Sequence, residues 1–275
     1  MGAMKRLETL DRRWIFLVVA ILVLIPLIWP LKLPLAISEP ASRYFRTVDG
    51  VPNGSIVVIS GDFDPASGPE LIPMLNSSIR HLFCKNCRII ATELWPGGPP
   101  LVDAALHRIG NEMGKKYGTD YVNLGYKSGN EVVMLSMGAS FSRTFPVDYS
   151  GTPVTQLPLM SKADNFGNVA LLINISAGFP GTKEWVEQAQ GRFHIHMVSG
   201  STAVSAPEYY PYLQAGQLLG LLGGMAGAAE YEKATGRPGS ATKGMDAQSS
   251  AHLFVMFLIA LGNAIYFVRR RQGGQ

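Results

Sequence analysis

Two long apolar segments, one near each end of the chain, constrain the architecture more than any other feature of the sequence. They cover residues 14–31 and 251–268, and neither contains an acidic or basic side chain apart from one histidine in the second. Each has about 18 residues, close to the minimum for a helix that crosses a bilayer. The sequence therefore predicts transmembrane helices at 14–37 and 251–268 in a cell membrane. A cleaved signal peptide is the alternative for the first segment, with a poor cleavage site at 36–38.

The basic residues that flank these segments indicate how the chain is oriented. Lysine and arginine next to a span are retained on the cytoplasmic side of the membrane. They occur in the tail before the first segment, residues 1–13, and in the tail after the second, residues 269–275. Lys32 opposes this orientation only weakly, because a lysine at the exit of a span can extend to the headgroups. We therefore predict two cytoplasmic termini and an extracytoplasmic region over residues 38–250.

The charge of the central region differs from that of the whole chain. The chain has a net charge of +4, but residues 39–250 contain 16 lysines and arginines and 18 aspartates and glutamates. The positive excess therefore lies at the membrane flanks. Nucleic-acid binding requires a basic face, which this region lacks. The sequence thus predicts no nucleic-acid partner.

The only two cysteines in the sequence, Cys84 and Cys87, have the spacing C-x-x-C. In thioredoxin-like proteins this motif opens a helix after a strand, whereas here it follows a predicted helix and precedes a predicted strand. A zinc site would need a second pair of ligands at a matching spacing. We expect a local disulfide or two inert thiols here, and we predict neither a metal nor a cofactor.

Between the apolar segments, short β-branched runs alternate with glycine- and proline-rich loops and helical stretches. Nearly continuous apolar runs, as at 56–59 and 169–173, are typical of strands buried on both faces. The alternation predicts a doubly wound parallel sheet of about five strands, in a Rossmann-like or flavodoxin-like α/β domain at 38–234, followed by a linker at 235–250. The predicted strands are 55–60, 88–92, 121–124, 168–175 and 193–199, and helices are predicted near 68–83, 99–117, 129–138, 182–190 and 208–231.

Open parallel sheets bind ligands at the carboxyl ends of their strands, so the loops that follow the strands are the predicted location of a site. These loops are rich in polar and charged side chains that could line a crevice and bind a small molecule. The candidate crevice residues are Asp62, Asp64, Glu93, Lys127, Ser128, Ser176, Thr182, Lys183 and Ser201.

Two of these loops have structural explanations beside the functional ones. Asp62-x-Asp64 after an apolar strand resembles the motif of haloacid-dehalogenase-type phosphatases over a few residues, and such a pair could bind Mg²⁺. The continuation differs from that family, and an aspartate before Pro65 commonly caps a helix. The loop at 178–183 could bind an anion through backbone N–H groups and Lys183, but a turn followed by a Thr182 cap explains the segment without any ligand.

Small residues in the predicted last helix of the domain and one amide in the second span indicate self-association. Gly220, Gly224 and Gly227 would allow this helix to pack closely, either on the sheet of its own domain or on another subunit. Asn263 lies in the second apolar segment, where a hydrogen bond to a neighbouring helix would relieve its burial in lipid. We predict that these four residues form an oligomer contact.

The sequence contains no complete catalytic signature, so whether the protein is an enzyme stays open. The first hypothesis is a two-pass membrane protein whose extracytoplasmic domain is a binding or scaffold subunit of an oligomeric assembly, with the bilayer, further copies or other membrane proteins as partners. One alternative is a membrane-anchored, metal-dependent hydrolase or transferase that acts on phosphorylated or glycosyl substrates through Asp62 and Asp64 with Lys127 or Lys183. The other is a solute-sensing domain that resembles half of a periplasmic binding protein.

Overall fold

The computed structural model describes residues 11–31 and 33–272 of the chain. It has two compact units. The larger unit comprises Leu35–Ala241, and the described residues up to Pro34 and from Thr242 form the other.

The larger unit is built from alternating strands and helices, and long helices lie at both ends of the described part of the chain. In chain order the strands are β1 (Ile56–Asp62), β2 (Arg88–Glu93), β3 (Tyr121–Tyr126), β4 (Leu171–Ser176), β5 (Met197–Ser201) and β6 (Leu221–Gly223). The helices are α1 (Arg12–Ile28), α2 (Glu39–Asp49), α3 (Gly68–Cys84), α4 (Gly98–Glu112), α5 (Asn130–Ala139), α6 (Phe141–Thr144), α7 (Thr182–Trp185), α8 (Gly191–Phe193), α9 (Ala206–Gln214), α10 (Gly224–Ala234) and α11 (Ser240–Gln272). A π-helical turn (Val186–Gln190) joins α7 to α8.

Within the described part of the chain, one helix is long and apolar enough to cross a membrane. It covers 29 residues of α11, Ser240–Val268, and its most apolar stretch has no buried residue in the structure. The predicted second span lies inside this helix, which begins within the predicted linker. The N-terminal helix α1 has 17 residues and ends at Ile28 rather than continuing to residue 37. Pro30 explains this end, because a proline disfavours helical backbone at the preceding residue.

Six strands of the described chain form one parallel sheet in the order β3-β2-β1-β4-β5-β6. This is the strand order of a Rossmann-like domain, in which the two halves of the sheet diverge from the central β1–β4 pair. Val57 pairs with Ile89 of β2 on one side and with Leu171 of β4 on the other. The parallel α/β fold predicted from the alternating pattern is confirmed, with six strands rather than about five.

The sixth strand lies where the sequence predicted one continuous helix over 208–231, so that prediction is wrong. Helix α9 ends at Gln214, and Gly216 then adopts a left-handed backbone conformation with φ of +74°. Leu221 pairs with Ser199 of β5 and begins β6. The leucines and glycines of this region have a helix-like spacing, but glycine has a low helix propensity and leaves the chain free to turn.

Helices cover both faces of the sheet and bury its strands. Every residue of β1 and β4 is buried. One face packs against α5, α7 and α9, and the other packs against α3, α4 and α10. The segment between α6 and β4 joins the core of the first face through Phe145, Val154 and Leu159.

The three glycines assigned to an oligomer contact are packed inside the domain. A Cβ on Gly220 would lie 2.3 Å from the backbone of Tyr44 in α2, and one on Gly227 would lie 3.0 Å from the backbone of Leu222. Gly224 has φ of +60°, which is a left-handed conformation suited to glycine. These glycines therefore allow segments of the same chain to pack closely on one another. The self-association proposed below does not rest on them.

Candidate functional site

Asp62 ends β1 at the point where the two halves of the sheet diverge, which is where ligands bind in this fold. Its side chain is fully buried. Oδ1 accepts a hydrogen bond from the backbone N–H of Leu94 at 2.7 Å. Oδ2 accepts three more, from Ser60 Oγ at 2.6 Å, Trp185 Nε1 at 2.7 Å and Asn174 Nδ2 at 3.0 Å. The protein itself thus satisfies both oxygens.

The buried carboxyl of Asp62 has a perturbed acidity. Burial raises its pKa to about 6, although the hydrogen bonds from Ser60, Leu94, Trp185 and Asn174 each act to lower it. Burial dominates because a buried carboxylate loses its hydration, and hydrogen bonds replace only part of that stabilisation. A carboxyl with such a pKa changes its charge within the range of ordinary buffers.

The network around Asp62 continues across β4 to β5. Asn174 Oδ1 accepts hydrogen bonds from Ser176 Oγ at 2.9 Å and from Thr182 Oγ1 at 3.0 Å. Thr182 Oγ1 also lies 2.6 Å from Ser199 Oγ. All of these groups are buried. The candidate residues Ser176 and Thr182 therefore join Asp62 in one internal hydrogen-bond network.

Glu93 ends β2 and lies on the α4 side of the sheet, where Gly61 and Gly98 leave room for its side chain. It is fully buried, and neither carboxyl oxygen has a hydrogen-bond partner. Burial raises its pKa well above the ordinary value, and the negative charges of Asp62 and Asp103 raise it further. The structure thus favours the protonated, neutral form of this side chain.

Asp64 follows Asp62 by two residues and has a different role. Its Oδ1 accepts hydrogen bonds from the backbone N–H groups of Ala66 at 3.0 Å and Ser67 at 3.3 Å, just before α3. This geometry is an Asx-turn, which stabilises the turn and the entry to the helix. The two aspartates therefore do not face one common ligand position.

The loop before α7 uses its backbone donors internally. Gly181 N–H donates to Glu184 Oε2 at 2.8 Å, and Thr182 N–H donates to Ser176 Oγ at 3.2 Å. Lys183 is exposed on a helix of only four residues. Two of the amide groups that the sequence suggested for anion binding, those of Gly181 and Thr182, are thus occupied by protein acceptors.

The remaining candidates lie apart from this network. Lys127 and Ser128 are exposed beyond β3, and Lys127 Nζ lies 6.0 Å from the centre of the Phe145 ring. Lys127 lines a groove of about 610 Å³ at the end of β2 and β3, together with prolines and tyrosines. Ser201 is buried at the end of β5, and its hydroxyl is 3.5 Å from the backbone oxygen of Thr202.

Among residues 11–31 and 33–272, no three His, Cys, Asp or Glu side chains are grouped in a way that could hold a metal ion. Cys84 and Cys87 are free thiols in the structure, the first exposed and the second buried. Burial raises the pKa of the Cys87 thiol. A raised pKa makes a thiol less reactive, as expected for an inert cysteine.

Sequence reasoning missed the partners that make Asp62 part of the core. Asn174, Ser199 and Trp185 were not among the predicted site residues, yet all three belong to its network. A signal was present in the strands. In β4 and β5 polar residues alternate with apolar ones, and with a period of two these polar side chains point to one face.

Apolar side chains are exposed along the edge of the sheet where the strands end. Val204 after β5 is 88% exposed, Phe179 after β4 is 63% exposed, and Tyr126 at the end of β3 is 41% exposed. Trp95 after β2 donates from Nε1 to the backbone oxygen of Pro180 at 2.9 Å, so the loops after β2 and β4 are joined. We call the three exposed residues the carboxyl-edge surface.

No family model matches this chain, and neither a curated protein nor a solved structure matches it.

Proposed function

We propose that the protein is a two-pass membrane protein whose extracytoplasmic Rossmann-like domain is the binding subunit of an oligomeric membrane assembly. The domain contacts its partner, a further copy of the chain or another membrane protein, through the carboxyl-edge surface. Apolar surface that several loops expose at one edge is typical of a protein interaction site.

The observation that carries this proposal is the contrast between buried and exposed groups at this edge. The carboxyl groups of Asp62 and Glu93, which an enzyme would use for acid–base or metal chemistry, are sealed in the interior. Apolar side chains directed to solvent there include Tyr126, Phe179 and Val204, and the polar side chains exposed beside them include lysines and a serine in the same loops. Chemistry requires groups that touch a substrate, whereas binding a protein surface requires apolar contact area. The arrangement favours binding.

The terminal helices support attachment to a membrane. Large apolar side chains are exposed along α1, including Phe16 and Ile28, and along α11, including Leu253 and Phe257. Such helices are unstable in water and suited to lipid. The apolar stretch of α1 extends by sequence to Leu31, so we propose that it is the first of two spans, with basic tails in the cytoplasm.

The proposed orientation can be tested with a natural probe, because Cys84 is exposed and Cys87 is buried. We expect a membrane-impermeant maleimide to label Cys84 when it is added to intact spheroplasts that express the full chain. The Cys84→Ser variant should remain unlabelled and is the matched control. Labelling of Cys84 only after the cells are lysed would show that the domain is cytoplasmic.

The proposed binding surface can be tested by site-specific photo-crosslinking in cells. A photoreactive phenylalanine analogue at Phe179 or Val204 is expected to give a discrete adduct of higher mass, because a partner covers these positions. The same analogue at Asn111, which is exposed at the opposite edge near the end of α4, should give no such adduct. Equal crosslinking at all three positions, or at none, would contradict a specific interface at the carboxyl edge.

A further inference from the structure

A second cleft lies away from the carboxyl edge, on the outer side of α2, α3 and α4 and the turn that follows α10. Its volume is about 590 Å³, within the usual range for small-molecule sites. Its wall contains three guanidinium groups, one from α3, one from α4 and one from the turn before α11. They belong to Arg80, Arg108 and Arg237.

Two of these arginines are held together by one carboxylate. Glu112 accepts hydrogen bonds from both Arg80 and Arg108, and Arg108 Nη2 also donates to Asn76 Oδ1 at 2.8 Å. The hydrogen bond from Arg80 is the largest of the effects that lower the pKa of Glu112. Each guanidinium has five N–H donors, so both arginines retain donors that this pairing does not use. Glu112 thus positions the two cations next to each other.

The third arginine differs from the other two in its contacts with the described residues. Arg237 is exposed, and its guanidinium forms no hydrogen bond or ion pair with another described residue. Its positive charge acts on His81, which also lines the cleft. Burial lowers the pKa of His81, the charges of Lys85 and Arg237 lower it further, and Asp49 opposes these effects.

The acidic groups of the cleft are already used within the protein. Asp49 Oδ1 lies 3.2 Å from Nε2 of His81. Glu232 is buried and accepts hydrogen bonds from the backbone N–H groups of Gly239 at 2.8 Å and Ala241 at 3.1 Å. The carboxylates of the cleft are thus engaged within the protein, while its guanidinium groups retain donors for a ligand.

We infer that this cleft binds the phosphate group of an organic phosphate ester. Arginine matches phosphate well, because its planar fork donates two parallel hydrogen bonds to two oxygens of the anion. A cleft of this volume exceeds what an inorganic phosphate needs, and Phe45, Pro73 and Pro238 provide apolar wall for the organic part of the ester. The ester is either a soluble metabolite or a phospholipid headgroup.

The test is binding to the full chain in detergent micelles, measured by calorimetry. The probes are inorganic phosphate, glycerol 3-phosphate and a short-chain phosphatidic acid. We expect binding of at least one organic ester that is tighter than binding of inorganic phosphate. Preference for glycerol 3-phosphate would identify a soluble ligand, and preference for phosphatidic acid would identify a lipid headgroup.

Arg237→Gln is the informative variant, because no described contact of the fold depends on that side chain. It should weaken binding of the preferred ester by about tenfold, the effect of losing one charge-assisted hydrogen bond. Arg192→Gln, an exposed arginine on α8, is the matched control and should bind as the wild type does. Absence of binding at about 10 mM of every probe, or equal affinities of the wild type and Arg237→Gln, would overturn the inference.

Discussion

Replacing Glu93 by glutamine is expected to stabilise the protein at neutral and alkaline pH and to change its stability little in mild acid. Glu93 is fully buried without a hydrogen-bond partner for either carboxyl oxygen. Glutamine has nearly the shape of the protonated acid and fits the same space beside Gly61 and Gly98. Both side chains bury a polar head group there, but only glutamate has to remain protonated while it is buried.

The sign of the pH effect follows from the pKa of Glu93, which is raised in the folded protein above its ordinary value of 4.5. The folded state keeps a proton that the unfolded state releases. The resulting stabilisation is fully present below the unfolded pKa and is lost as the pH rises toward the folded pKa. The loss is about 1.4 kcal/mol for each pH unit in that window. Burial also raises the pKa of Asp62, from 3.8 to about 6. This shift adds a loss of about 3 kcal/mol of folding stability as the pH rises between those two values.

Thermal unfolding of the full chain in detergent micelles, followed from about pH 5 to about pH 8, measures this effect. The wild type should lose stability as the pH rises, and Glu93→Gln should lose less. Glu187→Gln makes the same substitution at an exposed glutamate and should follow the wild type. Parallel curves for the wild type and Glu93→Gln would show that Glu93 is not protonated in the folded protein.

Gly220→Ala should destabilise the domain by about 3 kcal/mol, the upper part of the usual range for overpacking. The added Cβ would lie 2.3 Å from both the backbone N and the Cα of Tyr44. Backbone atoms cannot move aside as a flexible side chain can, so α2 would have to shift from its place against β6. The measurement is the midpoint of thermal unfolding in micelles.

Gly191→Ala is the matched control for this substitution. Gly191 has φ of −65°, and a Cβ there would lie 3.4 Å from the backbone oxygen of Val186, an ordinary contact distance. Alanine at that position should leave stability unchanged or raise it slightly. If Gly220→Ala unfolds at the same temperature as Gly191→Ala, the packing of α2 on β6 is looser than the structure shows.

The sequence predicted the parallel sheet well because its central strands are long apolar runs. Residues 56–59 lie in β1, and residues 169–173 lead into and begin β4, and these are the two central strands. The edge strand β6 was missed because it has only three residues, and its leucines and glycines lie in a pattern that also suits a helix. Its conformation depends on pairing with β5, which is a long-range contact.

The candidate site was predicted less completely than the sheet. Asp62, Ser176 and Thr182 do meet, because the ends of parallel strands share one edge. Whether a carboxylate at that edge faces solvent or the interior depends on distant residues, and Trp185 is separated from Asp62 by 123 positions. The sequence pattern could not reveal that pairing.

The native mass of the full chain extracted in a mild detergent tests the proposed binding function most directly. The proposal predicts a protein mass well above the 29.8 kDa of one chain. Replacing Phe179 and Val204 together by serine should reduce it to that of one chain, with little effect on folding because both side chains are exposed. Asn111→Ser should leave the larger mass unchanged. A wild-type protein that has the mass of a single chain at its native expression level would contradict the proposal.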